Sequence, residues 1–328
     1  MGVLSPPVDQ INREYSSCEQ NISDTSSIMP QLDGNMSISS YSSDSSVFAA
    51  KIPVFTGNRP EKTSYERPQP VRKVIKRSNR ALQAASFPKL TSFNMRSLMP
   101  KIRSFAADFN DRMCQLSFLH EIWEKVDNKR HSYKIEELLE MSGIKYISTP
   151  RSGKRSGGGA AIAASSENYH LSKLNIIVPH NLEIVWGLLK PKHASGKINQ
   201  IIVCSFYCPP SYNSKKKSLL VDHMMETIQS LRISYPDAGV IVSGDRNDLS
   251  LVKLATIDVS LKQIVKKNTH GTKVLTVILT DLYDFYSEPE IIPPVDVDDS
   301  NDGVPSDHSG VLLCPVVAES TLKPEKIT

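Results

Sequence analysis

Polar residues of a few chemically capable types fall just beyond short apolar runs. Asn94 follows LTSF, Glu121 follows SFLH, Asp245 and Asn247 follow VIVSG, and Asp307 with His308 precedes SGVLL. Short apolar runs bounded by turn residues read as strands, so these groups stand at strand ends, and strand ends sharing one rim make a site. Singly each is ordinary, because Asn and Asp are common turn formers and a lone glutamate or histidine usually serves surface or packing. Together they supply carboxylates, amides and one imidazole, an oxygen-rich set suited to Mg²⁺ or Mn²⁺ and poor for zinc. Such a set suits hydrolysis of a phosphodiester. A cation offsets charge on the phosphate and the leaving oxygen, a carboxylate orients or deprotonates water, and an imidazole meets the developing charge.

The elements that must position them are legible from residue 86 onwards. Strands are expected at Leu90–Asn94, Cys114–Leu119, Gly159–Ala164, Ile184–Leu189, Ile201–Tyr207, Val240–Ser243, Val274–Thr280 and Val311–Cys314. Ile102, Phe105, Ala106 and Phe109 recur at the spacing of one helical face; Ile135, Leu138 and Leu139 mark a second helix ending at Gly143. Leu220, Met224, Ile228 and Leu231 mark a third that stops before Pro236, with Met224 and Met225 as core packing. So many strands with few helices imply two packed sheets. Runs such as IIVCSF and GVIVSG lack alternation, as strands covered on both faces do. The expected fold class is α/β, a four-layer sandwich of two packed mixed β-sheets flanked by helices. No internal repeat of domain-building length is present.

In chain order, SFNMRSL, FLHEIWEK, RSGKRSGGGAAIA, YCPPS, VSGDRND and PSDHSGV resemble the motifs of the endonuclease/exonuclease/phosphatase superfamily. Within it they are most similar to the apurinic-endonuclease-like endonuclease domain of non-LTR retrotransposons. The resemblance spans nearly the whole of residues 86–317 and implies a Mg²⁺-dependent enzyme, with Mn²⁺ as a substitute, that nicks DNA. It places Asn94 and Glu121 at the metal, with Asp307 completing the acidic cluster. Tyr207 would touch the phosphate, Asp245 would position the attacking water with Asn247 assisting, and His308 would contact the scissile phosphate. Read from the residues alone, Tyr207, Pro209 and Pro210 equally describe a strand end with an extended stop. Gly157–Gly159 tempts a nucleotide-loop reading, but Lys154 precedes the glycines instead of following them, which favours a tight turn into the strand AAIAA.

The sequence also departs from the family pattern. Where a leucine-aspartate pair is usual, its aspartate bonding the histidine, the strand reads KVLTVILTD and offers Thr276. Asp281 lies roughly 16 Å further along an extended strand, and its odd offset turns it to the other face. A hydroxyl accepts a hydrogen bond but cannot stabilise an imidazolium as a carboxylate does. His270 stands where arginine is common, Ile122 where threonine follows the glutamate, and Arg246 where an aromatic or aliphatic residue is usual. Two alternatives to an active nuclease follow: a catalytically decayed nucleic-acid-binding remnant, and a phosphomonoesterase of the same superfamily.

Composition bounds the rest. The chain has 328 residues, 39% of them hydrophobic, below the globular norm of about 45 to 50%. Residues 1–85 account for the deficit: a Ser-rich stretch (SISSYSSDSS over Ser37–Ser46) expected to be disordered, then a basic, proline-containing linker from Arg59 to Arg80. Residues 318–328 form a polar tail. A net charge of +4 is compatible with DNA as partner without demonstrating it. The 5 cysteines form no C-x2-C pair, so neither a disulfide framework nor a zinc knuckle is suggested, and Cys204 and Cys208 read as core. No segment is apolar enough to cross a membrane, and the start MGVLSPPVDQ has no signal-peptide core. The expected location is therefore intracellular, nuclear or cytoplasmic. No reverse-transcriptase segment follows the domain, so any full retrotransposition would need that enzyme supplied elsewhere.

Overall fold

The computed structural model describes residues 87–124, 129–151, 157–193, 198–298 and 303–316, with 129–132 by backbone alone. The expected disordered arm, the basic linker, Lys154 and the polar tail lie outside the described residues.

The expected two-sheet sandwich is present. One sheet contains β1 (Leu90–Asn94), β2 (Leu116–His120), β3 (Ile144–Thr149), β4 (Ala160–Ser165), β11 (Glu290–Ile292) and β12 (Gly310–Leu313), in the order β11-β12-β1-β2-β4-β3. The other contains β5 (Tyr169–Lys173), β6 (Glu183–Pro191), β7 (Ile201–Tyr207), β8 (Gly239–Asp245), β9 (Lys262–Gln263) and β10 (Thr276–Thr280), in the order β5-β6-β7-β8-β10-β9. Each sheet has one parallel pair near its middle, β1 with β2 and β7 with β8, and is antiparallel elsewhere. The parallel pairs matter most, since they bring the carboxyl ends of β1, β2, β7 and β8 to rims carrying Asn94, His120, Tyr207 and Asp245.

Three apolar layers hold this together. Leu90, Leu116, Phe118, Val203, Ile241, Ile278 and Val311 fill the space between the sheets. The alternate residues of the first sheet, including Phe93, Leu119 and Ala161, meet helix α1 (Ile102–Asp111) through Ile102, Phe105 and Phe109, and helix α2 (Lys129–Met141) through Ile135 and Leu139. The outer face of the second sheet packs on α3 (Ser214–Ser234) through Leu220, Met224, Ile228 and Leu231. Cys204 and Cys208 are both fully buried there, and Met225 packs partly buried against the same layer. α3 starts where the Asn213 side chain accepts a hydrogen bond from the Lys216 N–H at 2.9 Å, closing one otherwise unpaired donor.

Strand and helix limits shift by a few residues from expectation, and β3, β5, β9 and β11 had no counterpart in the sequence reading. β5 and β3 are sheet edges, and β5 buries only Tyr169 and Leu171, too few apolar residues to stand out. Gly157–Gly159 is the expected turn into β4, with φ of +92°, +81° and +87°. A side chain at Gly158 would collide with the Glu183 carboxylate and the Arg151 guanidinium.

Candidate active site

Along the inward faces of β1, β7 and β8 the residues change character in the same order. Leu90, Val203 and Ile241 are apolar; Ser92, Ser205 and Ser243 are small hydroxyls; Asn94, Tyr207 and Asp245 are larger polar residues that end their strands. Period-two alternation places each series on one face. The serine layer lets the sheets approach closely, because the Ser92 and Ser243 hydroxyls share a hydrogen bond of 2.8 Å across the sandwich. Ser205 Oγ donates to the Leu119 carbonyl at 3.3 Å, and Ser243 Oγ to Val277 at 3.1 Å, so this buried layer is satisfied internally.

One step further along, the Asn94 amide bridges the two sheets. Its Nδ2 donates to Glu121 Oε1 and to Asp245 Oδ2, both at 2.9 Å. Its Oδ1 accepts the Arg96 N–H at 3.0 Å, so the amide's donor end faces the acids. That orientation follows from chemistry, since ionised carboxylates only accept. Glu121 sits just past β2 at φ +53°, a left-handed turn that swings its side chain towards the rim, and also accepts from Trp123 Nε1 at 3.3 Å. Arg96, Ser97, Trp123 and Asn247 share positive φ, so unfavourable backbone collects around this rim. Lys101 stabilises the turn after β1. It is fully buried, and its Nζ donates to the carbonyls of Met95 (2.6 Å), Val304 (2.7 Å) and Arg96 (3.0 Å).

Asp245 is fully buried. Burial pushes its carboxyl up to about 7, against the lowering effect of hydrogen bonds from the Asn247 N–H (3.0 Å) and from Asn94. Asn247 Nδ2 donates to the Cys208 carbonyl at 3.1 Å, tying the loop after β8 to the end of β7. Tyr207 lies opposite both Glu183 and Asp245 in its sheet, and burial followed by Glu121 pushes its phenol well above the ordinary range, keeping it a neutral donor. Beside it, Glu183 accepts from Arg151 Nε at 2.8 Å and from the Gly159 N–H, which fixes the glycine turn.

The histidine side is arranged differently. His308 Nδ1 is 3.9 Å from Asp245 Oδ2 and, like Thr276 Oγ1, is buried without a hydrogen-bond partner. Thr276 is the cross-strand neighbour of Asp245. Asp281 is occupied at the far end of β10, bonded to Arg232 of α3 and to the Val240 N–H. Burial holds His308 below its ordinary pKa, with Asp307 opposing. Asp307 turns away from the carboxylates and pairs with His270 Nε2 at 3.2 Å. Beneath the rim His120 is wholly buried, and burial, then His308, hold its pKa down at about 3. Beside Asn247 a cleft of about 620 Å³ opens, bordered by Arg246, Asn247, His270 and Lys273.

Of the residues singled out in the sequence, Asn94, Glu121, Asp245, Asn247, Tyr207 and His308 thus converge on one rim, while Asp307 stands outside the carboxylate pair. Lys101, Glu183 and Arg151 were not foreseen. Glu183 opens an apolar strand, a weak signal; a buried lysine caged by carbonyls leaves none.

Among solved structures this chain is similar to the human Nocturnin catalytic domain, with 13% identity and a TM-score of 0.51 over 70% of this chain and 95% of that one. It is similar to the mannosyl-6-phosphatase Bt3783 of Bacteroides thetaiotaomicron VPI-5482, with 14% identity and a TM-score of 0.50 over 70% and 99%. The endonuclease domain of TRAS1, a telomere-specific non-LTR retrotransposon, aligns at 14% identity and a TM-score of 0.48 over 70% and 99%. No family model and no curated protein matches the sequence. The chain shares the fold of the Nocturnin catalytic domain and of the mannosyl-6-phosphatase. Among the described residues no helix is long and apolar enough to cross a membrane.

Proposed function

We propose that this chain is a divalent-metal-dependent phosphodiesterase of the endonuclease/exonuclease/phosphatase superfamily that nicks DNA. The observation that carries the reading is the Asn94 amide held between the Glu121 and Asp245 carboxylates at the joined rims of both sheets. Two acids are brought together there, and among the described residues neither is ion-paired to a lysine or arginine. Such an uncompensated oxygen-donor set fits Mg²⁺ or Mn²⁺, which Glu121 would hold with Asn94 spacing the acids. When bound, the ion supplies charge neutralisation at the phosphate and at the leaving oxygen.

The chain's own residues would do the rest. Asp245, with its carboxyl at about 7, accepts a proton from the attacking water, in a range suited to a general base at neutral pH. Asn247 holds that loop in place. Tyr207, a neutral phenol, donates to a phosphate oxygen, and His308 meets the opposite side of the phosphate. Asp307, bonded to His270, would contribute its charge from outside the carboxylate pair. The DNA substrate and the retrotransposon-type assignment rest on the order and content of the sequence motifs.

The unpartnered Nδ1 of His308 and hydroxyl of Thr276 favour a weakened enzyme, since the imidazole lacks an orienting acceptor. The deciding experiment is nicking of supercoiled plasmid by the purified chain with Mg²⁺ or Mn²⁺ against chelator, alongside Asp245→Ala. Metal-dependent nicking lost in Asp245→Ala supports the reading, and nicking that survives the substitution refutes it. Salt-sensitive DNA binding without nicking would identify a binding remnant. Release of inorganic phosphate from sugar phosphates without nicking would identify a phosphomonoesterase. A domain limited to 86–317, and a nuclear or cytoplasmic location, belong to the same proposal.

A further inference from the structure

The oxygen-rich set read from the sequence counts one imidazole, but the folded chain brings a second beside it. His270, Asp307 and His308 each offer one ligand atom, and these lie within 4.8 Å of one another. The His270 Nε2 to Asp307 Oδ2 distance is 3.2 Å, and the two imidazole rings are 4.7 Å apart at 39°. Ligands about 2.0 to 2.2 Å from a tetrahedral ion stand roughly 3.3 Å from each other, so the first pair already has the required spacing. Closing the third ligand needs a shift of roughly 1.5 Å, within the reach of side-chain rotation.

We infer that His270, Asp307 and His308 form a second metal site, selective for a borderline transition ion of the zinc class over Mg²⁺. Two imidazoles and one carboxylate with open positions are the donor set of zinc and its neighbours, whereas Mg²⁺ prefers oxygen alone. The positions are built, not incidental. His270 lies on a tight hairpin closed by its own bonds with Lys273, N–H to carbonyl at 3.1 Å and the reverse at 2.9 Å. Thr269 couples that hairpin to both neighbours: its carbonyl accepts the Ser309 N–H at 2.8 Å, and its hydroxyl accepts the Leu275 and Thr276 N–H groups at 3.0 Å. His308 is 7% exposed with an unpartnered ring nitrogen, a group that lacks the bond burial would normally demand. Asp307 and His270 are half exposed, and His270 borders the open cleft, so an ion can enter from solvent. Occupancy would withdraw His308 from the phosphate, making zinc an antagonist of the hydrolysis; this consequence rests on the function proposed above, while the site itself does not.

The test is calorimetric titration of the full chain with Zn²⁺ in excess Mg²⁺, with Co²⁺ absorption as a second readout of coordination. One equivalent is expected to bind, about tenfold or more weaker in His270→Ala, retained in His270→Cys and unchanged in Glu121→Gln. No Zn²⁺ uptake, or uptake indifferent to His270→Ala in a variant with native circular dichroism, would overturn the site. Loss in Glu121→Gln but not in His270→Ala would place the ion among the oxygen donors and overturn it equally. Zinc binding as expected that leaves Mg²⁺-dependent nicking unchanged would overturn the antagonism alone. An absence of nicking, by contrast, bears on the proposed function and leaves the calorimetric result intact.

Discussion

The two sides of the rim follow opposite rules. On the carboxylate side every functional group has a partner: Asn94 bonds both acids and the backbone, Asn247 closes its loop, and Lys101 fills a cage of carbonyls. On the histidine side Thr276 and His308 are buried with polar atoms unmatched, and Asp307 has turned outward to His270. A fully matched network fixes geometry, whereas unmatched groups cost stability and tolerate change. On the proposed function, hydrolysis would be supported by the carboxylate side, which is preorganised around Asn94, and limited by the histidine side, which is not.

The comparison breaks most sharply through activity. Asp245→Ala should lower Mg²⁺-dependent nicking by about 10⁴-fold, comparable to removing the acidic member of a catalytic unit, as single-turnover kinetics would show. Thr276→Asp should raise it by about 10²-fold or more, because a carboxylate beside Asp245's strand position can accept from His308, and neutralising such a support in serine proteases costs about 10⁴. A Thr276→Asp rate no higher than that of the natural chain would remove the histidine side as the limit.

Stability probes sharpen the same contrast. For Asp245 the folded carboxyl stands at about 7 against 3.8 when unfolded, so the folded chain keeps a proton the unfolded chain loses. Its contribution is therefore fully present below pH 3.8 and is lost as pH rises through about 7, a few kcal/mol at roughly 1.4 kcal/mol per unit. Denaturant unfolding of the metal-free chain should show stability falling across that window, and Mg²⁺ should restore it near pH 7. Lys101→Met should cost about 3 kcal/mol by leaving buried carbonyls unpaired, measured by thermal unfolding. His270→Ala should change stability by only about 0.5 kcal/mol, since its pairing with Asp307 is solvent-exposed. A cost as large as that of Lys101→Met would show that the histidine side is structurally committed after all.

Much of this was legible in the chain. The apolar runs that became β1, β7, β8 and β12 announced themselves because buried strands need continuous apolar residues, and the polar residues ending them marked the rim. The edge strands β3 and β5 and the caged Lys101 did not, since half-exposed edges resemble loops and a lysine's burial depends on carbonyls far along the chain. Thr276 showed the missing carboxylate in sequence, and the unpartnered Nδ1 of His308 is its structural counterpart.

What the sequence determined by itself was the set of elements and the residue types at their ends, because hydrophobic period and turn chemistry are local properties. What only the tertiary structure decided was which ends meet. Asn94 and Asp245 are joined at 2.9 Å across 151 positions of chain, and His270, on its hairpin, is set beside His308. The first of those meetings depends on sheet register and on the small serines that let two sheets close, and the second on the Ser309 N–H bond to the Thr269 carbonyl, since the hairpin's own His270–Lys273 bonds are local; none of these is a property of any single segment.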